Sequence, residues 1–169
     1  QNTTLTILVF DSNGEVTDSQ KFYDVHRIRI YKPDWQSDFT PSSLRTSKDY
    51  GWFLSDKKNK WGLKDTNNKV VINPAFYDVK VLNNQYSIVM NPINNNKPEV
   101  LLGGRKIDVN YYYGLVDHKN YKIIARPQFL DIRNDFSKGC NVTRVITNSN
   151  YHFGLLYKNG TLKTKDISY

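Results

Sequence analysis

The chain has 169 residues, a net charge of +8, 24% charged residues and one cysteine, Cys140. That length suits a single domain, predicted over residues 1–169. A lone cysteine excludes an internal disulfide and a multi-thiolate metal site, and no apolar run reaches the roughly 18 residues of a membrane-spanning helix.

A first unit is predicted over residues 3–32. Strands around 5–10 and 25–31 are separated by a turn-forming Asp11-Ser12-Asn13-Gly14, and Asn-Gly between apolar runs is a strong hairpin signal. In the second strand His26 shares a face with Ile28 and Ile30, which predicts a half-buried rather than a catalytic histidine. Residues 32–49 carry Pro33, Pro41 and many small polar side chains, and are predicted as a loop with one helical turn.

The second unit, 52–90, opens with a hairpin: Trp52-Phe53-Leu54-Ser55, a turn at 56–59, then Lys60-Trp61-Gly62-Leu63. Asp65-Thr66-Asn67-Asn68 suits a further turn, because Asp and Asn bond nearby backbone and tolerate positive φ. The β-branched run Val70-Val71-Ile72 follows, and Pro74, lacking an N–H, is predicted to close that strand. Val79-Lys80-Val81-Leu82, a turn at 83–84 and residues 85–90 complete the unit. Residues 91–98, with an Asn run, are predicted as exposed loop. A Gly103-Gly104 turn joins strands at 100–102 and 105–109.

The third unit, 111–146, repeats the pattern with Tyr113-Gly114, a turn from Asp117, Lys122-Ile123-Ile124 and Pro127. The fourth, 151–169, is shorter: Phe153-Gly154-Leu155-Leu156, then Lys158-Asn159-Gly160-Thr161. The string Phe22-Tyr23-Asp24-Val25 returns as Phe76-Tyr77-Asp78-Val79 and as Phe129-Leu130-Asp131-Ile132, at intervals of 54 and 53 residues. Spacing of this kind marks a repeat array. The glycine of each aromatic-Gly pair is predicted to accept a bulge or a ring from a neighbouring unit. Each acid of the string is predicted to tie off a turn through backbone N–H groups.

Lys60-Trp61-Gly62-Leu63-Lys64-Asp65, the turn, Val70-Val71-Ile72-Asn73-Pro74 and Phe76-Tyr77-Asp78 resemble the WG (KWG) repeat of bacterial proteins. The unit at Gly114 is similar, with Tyr for Trp, and the outer two units match in part. The resemblance implies a repeat type and no particular activity.

No stretch keeps a 3.6-residue apolar period, so the expected fold is all-β: repeated antiparallel hairpin or three-stranded units packed as a β-repeat array. The last strand could pair with the first, so a closed ring and an open stack both fit. A β-trefoil-like arrangement is the alternative.

No catalytic constellation, metal ligand set or cofactor motif is present: there is no P-loop, G-x-S-x-G or H-E-x-x-H, and only Glu15 and Glu99 are glutamates. The expected function is a non-enzymatic binding or scaffold module for a protein, peptide or glycan. Its candidate contacts are the aromatics outside the repeat core: Trp35, Trp52, Tyr111, Tyr112 and Tyr121. The alternative is a basic binder of nucleic acid or another polyanion, driven by the +8 charge. Gln1 in place of an initiator Met predicts a removed leader and an extracytoplasmic bacterial location: periplasmic, secreted or cell-surface.

Overall fold

The computed structural model describes residues 4–23, 49–95, 97–102, 105–147 and 153–164. The second strand and His26 of the first unit, the 32–48 segment and Trp35 lie outside these residues. The described chain is all-β. Its strands are β1 (Thr4–Phe10), β2 (Val16–Tyr23), β3 (Trp52–Ser55), β4 (Lys60–Lys64), β5 (Val70–Phe76), β6 (Asp78–Val81) and β7 (Tyr86–Pro92). They continue as β8 (Glu99–Leu102), β9 (Arg105–Asp108), β10 (Tyr111–Asp117), β11 (Lys122–Ile132), β12 (Val142–Thr147), β13 (Phe153–Tyr157) and β14 (Leu162–Thr164). All pairings are antiparallel. A seven-stranded sheet has the order β14-β13-β12-β11-β10-β7-β6; β3-β4-β5 form a second sheet, and β1-β2 and β8-β9 are separate hairpins.

Turn chemistry sets the hairpins. Asp11 and Asp65 each accept two backbone N–H bonds on Oδ1, from residues two and four positions on. Gly14 and Asn68 then take the positive φ, +86° and +64°, that completes each three-residue loop. Of the acids of the Phe-containing strings, Asp24 lies outside the described residues, Asp78 Oδ1 accepts the Val79 N–H at 2.8 Å beside the β5–β6 corner, and Asp131 stands within β11 rather than at a turn.

The aromatic-Gly pair and the proline form one device. In β4–β5 the pairing runs Leu63↔Ile72 and then Trp61↔Phe76, so Gly62 alone faces three residues, Asn73-Pro74-Ala75. In β10–β11 it runs Leu115↔Ala125 and then Tyr113↔Phe129, so Gly114 alone faces Arg126-Pro127-Gln128. A Cβ on Gly114 would lie 2.6 Å from the Ala125 carbonyl oxygen and from the Pro127 nitrogen; on Gly62, 2.7 Å from the Ile72 oxygen and 2.9 Å from the Pro74 nitrogen. Glycine is required because the bulged backbone occupies the Cβ position. Pro74 and Pro127 therefore do not close their strands: β5 runs on to Phe76 and β11 to Ile132. Inside the bulge the ladder demands no N–H, so proline costs nothing there. The β1–β2 hairpin has neither this glycine nor the proline; apart from a shift beside its turn, between Val9 and Phe10, its register runs regularly to Leu5↔Phe22 and Thr4↔Tyr23.

The strand preceding each glycine also pairs in one register. Phe53↔Gly62, Val89↔Gly114 and Val145↔Gly154 lie opposite each other. The Phe53 ring comes within 2.9 Å of the Cβ position at Gly62, so the glycine also gives room to the preceding strand.

Two cores result. Alternation along β7 sends Tyr86, Ile88 and Met90 to one, with Tyr113, Leu115, Phe129, Ile132, Phe136, Val145 and Leu156. Val89 joins Trp52, Trp61, Leu63, Ile72, Phe76, Val79 and Val116 in the other, between the second sheet and the first. Each fully buried large apolar side chain contributes about 1.5–3 kcal/mol. The first hairpin meets the later units through its turn: the Asn141 N–H donates to the Ser12 carbonyl at 2.8 Å, and Asn141 Nδ2 to Asn13 Oδ1 at 2.7 Å. Among the described residues no strand of β1–β2 pairs with β13 or β14.

Candidate binding surface

Trp52 is a core residue, 1% exposed, which corrects its place among the expected surface aromatics. Its indole N–H donates to Ser87 Oγ at 3.1 Å, and Ser87 Oγ lies 2.8 Å from His118 Nδ1. The serine oxygen has two lone pairs and one proton, so while accepting from the indole it can either donate to Nδ1 or accept from it, according to the His118 tautomer, and Nε2 is buried without a hydrogen bond. Burial holds the His118 pKa below the usual imidazole value, against the opposing Asn84 backbone bond and the Asp117 charge. Tyr50 packs on the imidazole, 5.0 Å between ring centres. The serine is fully buried, and this chain of groups fastens β3 to β7. Ser87→Ala leaves two buried polar groups without partners and is expected to lower stability by about 2–3 kcal/mol, read as a shift in the urea midpoint at unchanged slope.

Tyr111 and Tyr112 open β10 and, as strand neighbours, face opposite sides. Tyr111 is half-buried and stacks on Tyr77, with ring centres 5.8 Å apart and planes 27° apart. Tyr77, the second residue of the repeated string, is 48% exposed. It stands at the corner between β5 and β6, where its N–H donates to the Met90 carbonyl and to Asn91 Oδ1. Phe76 beside it lies in the core, and the corner between β5 and β6 leaves Tyr77 outward. Tyr112 lines a groove of about 520 Å³ with Pro127, Gln128, Phe129, Thr147, Leu162 and Thr164. A cleft of similar volume, about 520 Å³, lies beside Phe53, Asp56, Lys64 and Asp65, with Lys64 Nζ 4.8 Å from the centre of the Phe53 ring.

Tyr121 is exposed, but at the opposite end of the β10–β11 hairpin. Six residues of strand, about 20 Å, separate it from Tyr111 and Tyr112. The expected aromatics therefore do not line one groove. They divide into a Tyr77–Tyr111 platform, a Tyr112 groove on the other face, and a single ring at the hairpin tip.

Charged groups gather at the end of β11, on the connection that follows it and on β12. Asp135 accepts three bonds from Arg144: from Nε at 2.9 Å, from the second guanidinium nitrogen at 2.8 Å and from the backbone N–H at 3.0 Å. Burial pushes the Asp135 carboxyl up, but these bonds and the Arg144 and Lys138 charges reverse it to a value below the usual range. Asp131 is held the other way. Burial raises it to about 6, although Arg133, the Ile132 N–H and Arg144 oppose the rise. Arg133 Nε is 3.7 Å from one Asp131 oxygen, and the other oxygen is buried without a hydrogen bond.

Among the described residues no three His, Cys, Asp or Glu side chains are grouped to hold a metal ion, and no helix is long and apolar enough to cross a membrane. Comparison of the chain with family models, with curated proteins and with solved structures finds no match.

Proposed function

We propose that this protein is a non-enzymatic module of repeated β units, similar in form to the WG repeat and extracytoplasmic, that holds a protein, peptide or glycan on its exposed tyrosines. The observation that carries this reading is the Tyr77–Tyr111 pair: a ring 48% exposed, backed by a second ring and held by backbone bonds from β7. A tyrosine so placed offers a flat apolar face with a polar rim and has little freedom left to lose on binding. The repeated pairing register supports the scaffold part of the reading, since one rigid unit used several times is a common way to carry a binding surface.

The test is capture on glycan and peptide arrays, followed by titration of the best ligand. Tyr77→Ala is expected to weaken that ligand by about tenfold, or about 1.4 kcal/mol, with little change in melting temperature. Unchanged affinity would remove the platform from the binding surface. A second reading, a polyanion binder, is favoured by exposed lysines at two hairpin loops: Lys57, Lys58 and Lys60, and Lys119 and Lys122. Its signature is an affinity that falls steeply with salt.

A further inference from the structure

Among the described residues, five hairpin loops contain a residue in the left-handed region: Gly14, Asn59, Asn68, Gly160 and Tyr121. Glycine and asparagine adopt it at little cost; a bulky side chain does not. Asn59 and Tyr121 can be compared directly. Their loops, 56–59 and 118–121, both hold four residues between paired ends, Ser55↔Lys60 and Asp117↔Lys122. In both, the last loop residue has positive φ, +49° and +58°. The chain thus uses asparagine for this position once and a strained tyrosine the second time. Tyr121 belongs to neither core cluster and is 39% exposed, so the two cores do not account for the choice. Its neighbours Lys119, Asn120 and Lys122 are exposed as well. Strain kept at an exposed ring points to a use outside the fold.

We infer that this tip binds an anionic polysaccharide, with the Tyr121 ring against the C–H face of a sugar and Lys119 and Lys122 meeting its sulfate or carboxylate groups. The inference rests on the binding-module reading above. The negative face of an aromatic ring attracts weakly positive C–H edges, and lysines supply mobile point charges that suit anionic groups without fixed spacing. Single-stranded nucleic acid fits less well. It is gripped by successive exposed rings along a basic groove, whereas among the described residues Tyr121 is the one exposed ring of this tip, Tyr50 against His118 being half-buried.

The experiment measures affinity for a size-defined heparin oligosaccharide at low salt, with neutral dextran and oligo-dT in parallel. Tyr121→Asn is expected to weaken heparin binding about tenfold while raising the melting temperature by about 2–4 °C. Lys119→Gln with Lys122→Gln is expected to weaken it and to flatten its salt dependence. Lys57→Gln with Lys58→Gln, an equal loss of charge on the other four-residue loop, is expected to leave affinity within about twofold, or about 0.4 kcal/mol. The proposal is overturned if wild-type protein fails to bind heparin, if Tyr121→Asn binds as wild type, or if that variant melts lower. Tighter, Tyr121-dependent binding of oligo-dT would replace it with a nucleic-acid site. Loss of array ligand in Tyr77→Ala with no effect of Tyr121→Asn removes the tip site and leaves the broader reading standing; no effect of either variant on any ligand removes both.

Discussion

Gly114→Ala is expected to destabilise the protein by about 3 kcal/mol or more, Gly62→Ala by a similar amount, and Gly154→Ala by about 1 kcal/mol or less. The ranking follows from what the added carbon would meet. At Gly114 it meets only β11 backbone, with Ala125, Arg126 and Pro127 atoms all within 2.7 Å. Backbone inside a paired strand cannot step aside without breaking the Tyr113↔Phe129 and Leu115↔Ala125 pairings on either side. At Gly62 two of the three close atoms are backbone and the third is the Phe53 ring. At Gly154 the nearest atom, at 3.0 Å, is the terminal carbon of Leu162, whose side chain is 38% exposed and can turn away. Urea midpoints for the three variants give the order directly. Equal losses at all three sites would mean that the bulge is not what the first two glycines serve.

Asp131→Asn is expected to stabilise the protein at pH 7–8, by up to about 3 kcal/mol, and to flatten its stability between pH 4 and pH 6. The folded carboxyl titrates at about 6 and its model value is 3.8, a difference of roughly two pH units, and each unit is worth about 1.4 kcal/mol. The sign follows from proton binding. Between the two values the folded state keeps the proton and the unfolded state releases it, so the contribution is fully present below about pH 4. It is lost as pH rises through about 6. Above that the carboxylate is charged and 4% exposed, with its ion-pair partner Arg133 Nε as far as 3.7 Å away. Asparagine keeps the shape and the acceptor for the Ile132 N–H without the charge. Asp135 acts in the opposite sense: its lowered pKa gives stability above its ordinary titration range that is lost on acidification. Thermal melts of wild type and Asp131→Asn from pH 4 to pH 8 separate the two groups. A wild-type curve flat between pH 4 and pH 6, or a variant less stable at pH 7, would show that Asp131 is not held protonated by burial.

Much of the local structure could be read from residue types. Turn acids, Asn or Gly at positive φ and β-branched runs located β3, β4, β6, β7 and the β8–β9 pair, whose expected Gly103-Gly104 turn lies outside the described residues. The all-β fold followed from the missing helical period. The prolines misled, because a proline inside a strand looks like a terminator until the glycine opposite is known to open the ladder. Trp52 misled for a related reason. It opens its hairpin as expected, facing Leu63, but its burial depends on a partner strand and a serine 35 positions away. Tyr77 was hidden by its own repeat: the third copy has Leu130 there, buried at 6%, in a strand that continues unbroken where β5 and β6 turn a corner. Whether such a residue faces core or solvent depends on the path of the strand, and no local pattern records that path.

The central claim, that Gly62 and Gly114 each admit a proline bulge that sets Phe76 against Trp61 and Phe129 against Tyr113, is open to cross-strand NOE spectroscopy on the labelled protein. Backbone contacts between Trp61 and Phe76 and between Tyr113 and Phe129 are the expected result. Contacts of Trp61 with Pro74 and of Tyr113 with Pro127, the pattern of an unbulged ladder, would contradict it.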